Sequence, residues 1–285
     1  MSSTLLLGAV AYDPKVVTIW DGFRKWLRTR GFDLDFVLYS NYERQVEDLL
    51  SGRIEVAWNS PLAWVRARRL AEAVGRQVRA AAMRDTDRDL TSVVVVRADS
   101  PIRSVADLRG RTVAVGAHDS PQATLLPLSL LRKEGIEPGV DTGLEYFDIG
   151  VGLHGDHIGG ERHAAAAVRD GEADAACMTD GNLLLFGQEG TFPTGSARVI
   201  AQTGPYDHCN MTAGPLADGA LVDDFVALLL GMSYGDAEVR PLLDLEGLTR
   251  WMPGRIDGYA ALETAVDEAA FYSADGQISA TDYRP

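Results

Sequence analysis

The sequence predicts an α/β protein with mixed, mostly parallel sheets and helices on both faces of each sheet. Short runs rich in apolar and β-branched residues alternate along the chain with longer segments of helical periodicity, which is the pattern of βαβ units. Apolar residues make up 46% and charged residues 24% of the 285 residues, the balance of a globular protein. At roughly 150 residues per domain, the chain is long enough for two hydrophobic cores.

The elements are predicted from local composition, in chain order. Nine short apolar or β-branched runs are predicted as strands, at residues 5–10, 35–38, 56–58, 79–83, 92–96, 112–115, 144–147, 173–178 and 198–203. Ten segments between or after them are predicted as helices, at residues 16–30, 42–51, 62–74, 105–109, 123–134, 164–169, 183–188, 221–231, 237–243 and 259–268.

Three junctions between a predicted strand and the following helix share one pattern. Asp13-Pro14, Ser60-Pro61 and Ser120-Pro121 each place an N-cap residue before a proline that suits the first helical position. In a parallel sheet these junctions lie at the carboxyl ends of the strands, where open α/β folds bind ligands. Their free backbone N–H groups suit an anion or a strongly polar group. Ordinary helix capping explains the same pattern, so both interpretations stay open.

Two polar segments indicate where the chain crosses between two lobes. Residues 83–89 form a charged stretch between two apolar strands, and residues 202–206 include a Gly-Pro pair. If the chain leaves the first lobe near residue 90 and returns near residue 204, lobe one is discontinuous and consists of residues 1–88 and 205–285. Lobe two then spans residues 89–204, and an interlobe cleft separates the two.

Charge and hydropathy exclude several classes of partner. The chain has 27 Lys and Arg against 41 Asp and Glu, a net charge of −14, which argues against nucleic acid because counterion release needs clustered cations. No stretch approaches the roughly 18 apolar residues of a membrane span, so we expect no membrane insertion. The first residues lack the features of a leader, which predicts a cytoplasmic protein as written, and a periplasmic or extracellular one if a leader has been removed.

Three segments carry a family resemblance. These segments keep the order and spacing of three segments of a known family, and they are residues 52–61 (GRIEVAWNSP), 104–115 (SVADLRGRTVAV) and 163–176 (HAAAAVRDGEADAA). In these segments the chain resembles type II periplasmic binding proteins of the phosphate, phosphite and phosphonate-binding branch. The resemblance implies a two-lobed type II fold that closes around a small polar or anionic metabolite. It also implies a transporter permease as partner if the chain is exported.

The resemblance also implies which residues bind the ligand. They are expected to line the cleft from both lobes, and they are Tyr12, Trp58, Asn59, Ser60, His118, Ser120, Gln122, His163 and Asp180. The chain departs from the family where a run of Ser and Thr hydroxyls would hold the phosphonate, because residues 118–122 read HDSPQ. A fixed carboxylate at Asp119 would repel a dianion, which predicts a ligand other than a simple phosphonate.

The histidines suggest a metal site. All five His and both Cys lie between residues 118 and 209, at predicted strand ends or in loops. His154, His157 and His163 offer imidazole nitrogens to Zn or Fe(II). Further nitrogen, oxygen and sulfur ligands come from Asp156, Glu161 and the pair His208-Cys209. Alternatively these histidines are polar loop and capping residues, and the cysteines fill the core. No cofactor is required by the sequence.

An enzyme on the same fold is the alternative function, of a lyase, decarboxylase or pyrimidine-synthase type. Cys177 lies at the end of a predicted strand beside the cleft and would be the nucleophile, with His208 or His163 as the partner that lowers its pKa. His157 and His208 are the further catalytic candidates. Packing in the core is the competing interpretation of Cys177. A sensor that binds a metabolite and a protein partner is a third possibility.

Overall fold

A computed structural model describes residues 4–156 and 158–285. It has two sheets, and the strands of both are β1 Leu5–Val10, β2 Leu34–Tyr39, β3 Val56–Asn59, β4 Arg79–Arg84, β5 Ser92–Arg97, β6 Thr112–Val115, β7 Gly143–Tyr146, β8 Ala175–Thr179, β9 Ala197–Gln202, β10 Asn210–Ala213 and β11 Trp251–Pro253. The nine predicted strands all form, within two residues at each end. The predictions missed β10 and β11, which are short and contain few β-branched residues.

Helices connect the strands and continue after them. The α-helices are α1 Lys15–Arg28, α2 Tyr42–Leu50, α3 Pro61–Ala73, α4 Leu126–Lys133, α5 Gly159–Asp170, α6 Asp180–Glu189, α7 Gly219–Leu230, α8 Arg240–Glu246 and α9 Ala260–Glu268. A π-helical turn at Pro121–Leu125 leads into α4, and the predicted helix at residues 105–109 is a 3₁₀ turn, Val105–Leu108. Helix α8 begins later than predicted because Pro241 suits its first turn. Within the described residues no helix has both the length and the apolarity to cross a bilayer.

The six-stranded sheet has the order β11-β4-β10-β3-β1-β2, and the five-stranded sheet has the order β7-β6-β8-β5-β9. The second sheet takes its strands from Ser92–Gln202 alone, between two crossovers. We propose that the lobes divide as the sequence predicts, at 88/89 and 204/205. The sheets are mixed, as expected, but less parallel than expected: β1 pairs in parallel with β2 and β3, and β6 with β7 and β8, whereas the other five pairings are antiparallel. Four of these five involve β5 or β10, the strands that follow the crossovers and run against their neighbours.

Apolar helix faces cover both sides of each sheet. Helix α1 buries Ile19, Trp20, Phe23 and Leu27, a spacing of one, three and four residues that forms a single stripe. With α7 this stripe covers one face of the six-stranded sheet, and α2 and α3 cover the other. Helices α5 and α6 cover one face of the five-stranded sheet and α4 the other. The loops at the strand ends are therefore held by two rigid layered bodies.

Candidate functional site

A cavity of about 460 Å³ lies at the carboxyl ends of β1, β3 and β4. Antiparallel β10 begins at this same edge, so the residues before it also reach the cavity. The loop between β7 and α5, which belongs to the other sheet, closes the opposite side with Asp156 and Ile158. Segments from both sheets therefore enclose the space.

Two aromatic rings form one wall of the cavity. Tyr12 follows β1, and Trp58 lies near the end of β3, only 6% exposed. The Trp58 ring is held edge-on by Trp20 and Trp251, with ring centroids 6.4 and 5.6 Å away. The ammonium of Lys15 lies 5.7 Å from the centre of the Tyr12 ring, at the rim. The wall is thus a fixed apolar surface with one cation beside it.

Arg84 is the inner cation of the cavity, and carboxyl groups already engage it. Its guanidinium donates to Asp87 at 2.6 and 2.8 Å and to the Glu246 carbonyl at 2.8 Å, and it lies over the Trp58 ring. The Glu246 carboxylate is 3.4 Å away. Burial raises the pKa of Glu246 to about 7, although Arg84 opposes the shift. Burial likewise raises the pKa of Asp156 to about 6. For both carboxyl groups, the nearby cations do not offset the cost of burying the negative charge.

His208 and Cys209 precede β10 and line the cavity side by side. Nδ1 of His208 lies 3.1 Å from Sγ of Cys209 and 3.4 Å from Oδ1 of Asp87. One ring nitrogen therefore faces both partners, whereas a catalytic relay needs both nitrogens. Burial and the carboxylates of Asp156 and Asp87 raise the pKa of Cys209, the opposite of what activates a thiol. This arrangement does not provide a nucleophile.

The loop between β7 and α5 fills the space between two of the predicted helix starts. His154 is fully buried and stacks on Tyr42, with its Nδ1 2.6 Å from Oγ of Ser60 and its Nε2 2.9 Å from Oε1 of Glu43. The Tyr283 hydroxyl lies 3.3 Å from the same Nε2. Ser60 also caps α3 by accepting from the backbone N–H of Ala63. The helix start at Ser60 thus contacts the chain's own loop.

The second helix start is covered by the same loop. Ser120 caps the π-helical turn, and Gln122 donates to the carbonyl of Gly155. Asp119 accepts from the backbone N–H groups of Gly152 and His154, at 2.6 and 3.2 Å. The carboxylate that was expected to repel an anion therefore orders the loop. Neither Ser60 nor Ser120 lines the cavity in this structure.

The structure brings together three of the predicted site residues, Tyr12, Trp58 and His208. Asn59 is instead buried in the sheet, where it accepts from Gln45 and donates to Thr212. His118 stacks on Tyr146 and contacts Asp148.

Two further predicted ligand residues lie on helices of the second sheet. His163 is exposed on α5, with its ring 6.0 Å from the Phe147 ring. Asp180 begins α6 and accepts from the hydroxyl of Thr91. The cavity, as lined in this structure, includes neither of them.

Two expectations differ from the geometry. Cys177 does not face the cavity: it is fully buried in β8 against Val94 and Val113, and burial raises its pKa to about 12, which disfavours the thiolate that a nucleophile needs. His154 has protein partners at both ring nitrogens, and the histidine metal site stays a prediction. The predicted roles of His157 lie outside the described residues.

Sequence reasoning missed three residues of the site, Arg84, Asp87 and Glu246. Arg84 ends β4, Asp87 lies on the crossover that follows, and Glu246 ends α8. The sequence indicates only a charged boundary at residues 85–89, yet Asp87 is 1% exposed. The spacing of three residues between Arg84 and Asp87, which suits a local ion pair, was the available signal.

One family model and several solved structures are similar to this chain. The family model described as "ABC transporter, phosphonate, periplasmic substrate-binding protein" matches residues 9–259. The structure of PhnD1 from Prochlorococcus marinus (MIT 9301) in complex with methylphosphonate is similar with a TM-score of 0.70, at 17% identity, covering 94% of this chain and 98% of that chain.

Two other structures show the same architecture. XAC2383 from Xanthomonas citri, bound to ATP, has a TM-score of 0.72 at 20% identity, covering 94% of this chain and 98% of that chain. The periplasmic aliphatic sulphonate binding protein SsuA from Escherichia coli has a TM-score of 0.57 at 20% identity, covering 94% and 93%. At these identities the structures establish the fold alone. They confirm the two-lobed α/β binding-protein fold that the sequence predicts.

Proposed function

Because the chain belongs to the family of phosphonate periplasmic substrate-binding proteins of ABC transporters, we propose that it binds one small zwitterionic metabolite in the cavity beside Trp58. The positive group of the ligand lies against Glu246, and its anionic group faces Lys15. Members of this family are substrate-binding components of ABC transporters and are described as periplasmic. A transporter permease is accordingly the partner that we propose.

The observation that carries the proposal is the charge balance of the cavity. Four carboxyl groups line it, those of Asp13, Asp156, Asp244 and Glu246, against the two cations Lys15 and Arg84. Arg84 is already engaged by Asp87 and Glu246. A ligand with only negative charge would therefore meet net repulsion, whereas an ammonium beside Glu246 would be attracted.

The shape of the cavity supports a small ligand. Its volume of about 460 Å³ falls within the range of roughly 300–1,000 Å³ that small-molecule sites occupy. The rings of Tyr12 and Trp58 offer an apolar face to the body of the ligand, and Trp58 can also attract an ammonium through its π face. The helix starts at Ser60 and Ser120, which would suit an anion, are covered by the loop before α5.

Matched ligands test the proposal by isothermal titration calorimetry. Taurine and ethanesulfonate share a sulfonate, and only taurine carries an ammonium. Likewise 2-aminoethylphosphonate and ethylphosphonate share a phosphonate, and only the first carries an ammonium. We expect the ammonium-bearing member of a pair to bind at least ~10-fold tighter, since a charge-assisted hydrogen bond contributes about 1.5–3 kcal/mol. Equal or tighter binding of ethanesulfonate and ethylphosphonate would contradict the proposed ligand class, as would the absence of saturable binding by all four compounds.

A further inference from the structure

We propose that Asp87, His208, Cys209 and Asp156 form a binding site for one transition-metal ion of the zinc type. The first three residues stand on the two crossovers between the sheets, at residues 85–91 and 203–209. The fourth is on the loop between β7 and α5. None of its residues is among His154, His157 and His163, and the site does not depend on the identity of the small ligand.

The spacing of the donor atoms fits a tetrahedral ion. Cys209 Sγ is 3.1 Å from Nδ1 of His208 and 3.6 Å from Oδ1 of Asp156, and the same Nδ1 is 3.4 Å from Oδ1 of Asp87. Ligand atoms of Asp87, His208 and Cys209 all lie within 4.8 Å of one another. Tetrahedral zinc, with bonds of about 2.0–2.3 Å, places neighbouring ligand atoms roughly 3.3–3.6 Å apart. Small side-chain movements would centre an ion among these atoms.

The donor types select the class of metal. A thiolate and an imidazole favour Zn²⁺ over Mg²⁺ and Ca²⁺, which prefer oxygen ligands. Asp87 is held by Arg84, which donates to both carboxylate oxygens, and Asp87 in turn accepts from the backbone N–H of Cys209. These hydrogen bonds hold the Asp87 carboxylate and the Cys209 backbone in place before an ion arrives, as outer partners do in metal sites.

The charge around the cluster also favours a cation. The cluster itself contains the carboxyl groups of Asp87 and Asp156, Glu246 lines the same cavity, and Arg84 is the inner cation that faces these groups. A divalent ion would supply the positive charge that balances these groups once the thiol of Cys209 is deprotonated. It would leave Glu246 available to the small ligand.

The site lies where the two crossovers meet the loop between β7 and α5, so a bound ion would connect these three segments. Asp87 and the pair His208-Cys209 lie on separate crossovers, which already share a hydrogen bond from the backbone N–H of His208 to the carbonyl of Asp87. An ion that also binds Asp156 joins both crossovers to the loop that closes the cavity. Metal binding would thereby hold that loop against the six-stranded sheet.

Cobalt provides the direct test, with full-length protein and no small ligand present. We expect Co²⁺ to give a thiolate-to-cobalt charge-transfer band in the wild-type protein, with one ion bound per chain and displaced by Zn²⁺. Cys209→Ser should lose the band, and Asp156→Asn should weaken Co²⁺ binding by ~10-fold or more. Cys177→Ala is the matched control and should keep the band, because Cys177 is buried in β8 away from the cluster.

Each outcome decides the proposal. Absence of the charge-transfer band in wild-type protein overturns it, and so does a band that survives in Cys209→Ser or disappears in Cys177→Ala. If Asp156→Asn binds Co²⁺ as tightly as the wild-type protein does, Asp156 is not a ligand and the proposed link to the loop between β7 and α5 is wrong. A circular dichroism spectrum and thermal melt of each variant without metal shows that it is folded, and Zn²⁺ should raise the Tm of wild-type protein but not of Cys209→Ser.

Discussion

Glu246→Gln is expected to weaken taurine binding by about 10–100-fold at pH 8, because it removes the carboxylate that pairs with the ammonium. Wild-type binding should strengthen about tenfold between pH 6 and pH 8. Burial raises the pKa of Glu246 to about 7, so the group is mostly protonated at pH 6 and ionised at pH 8. The sulfonate and the amine of taurine keep their charges over this range. In Glu246→Gln the pH dependence should fall to about twofold, the part that Asp156 contributes because its pKa is about 6.

Several charged groups lie near Glu246, and the pH dependence of taurine binding has to be assigned among them. They are the cations Arg84 and Lys15 and the carboxyl groups of Asp87 and Asp156. Because all of them remain in the variant, a full tenfold pH dependence in Glu246→Gln would assign it to another group and contradict the role of Glu246. Glu238→Gln is the control, since Glu238 is exposed and outside the cavity; it should bind taurine as the wild type does.

Glu43→Gln is expected to lower the free energy of unfolding by roughly 3 kcal/mol at pH 7. Burial alone would raise the pKa of Glu43, but His154 and the hydroxyls of Tyr283 and Tyr272 outweigh it and lower the pKa to about 2. The carboxylate is 4% exposed, so solvent screens the interaction little. The amide can still accept hydrogen bonds but carries no charge to pair with His154.

The pH dependence of this loss has a definite sign. The pKa of Glu43 is lower in the folded state than its ordinary value of 4.5, so its stabilisation is complete above pH 4.5 and is lost as the pH falls toward 2. The difference between wild type and Glu43→Gln in urea denaturation should therefore narrow below pH 4.5. Glu47→Gln, on the same helix but half exposed, is the matched control and should cost less than ~1 kcal/mol. Equal losses in the two variants would contradict a stabilising role for the buried contact between Glu43 and His154.

The strands and part of the site could be predicted from the sequence because they depend on local patterns. Tyr12 and Trp58 come directly at the ends of short apolar strands, and strand ends that run in parallel meet at one edge of a sheet. The aromatic wall follows from that rule alone. The prolines after Asp13, Ser60 and Ser120 likewise locate the first turns of the helices or helical turns that follow.

The charged half of the site could not be predicted in this way. Glu246 and Arg84 are separated by 162 residues and meet only because β11 and β4 pair in the sheet. The position of the His154 side chain depends on Glu43, 111 residues earlier, and on Tyr283 in the C-terminal segment. Residues that are polar in sequence and buried in the fold cannot be distinguished from solvated loop residues until these partners are known.

A crystal structure of the protein with taurine bound tests the central claim most directly. We expect electron density for one taurine between Trp58 and Glu246, with its ammonium within hydrogen-bond distance of the Glu246 carboxylate and its sulfonate toward Lys15. Density at the helix starts of Ser60 and Ser120, with the loop at His154 displaced, would contradict the assignment of the binding site to the cavity beside Trp58.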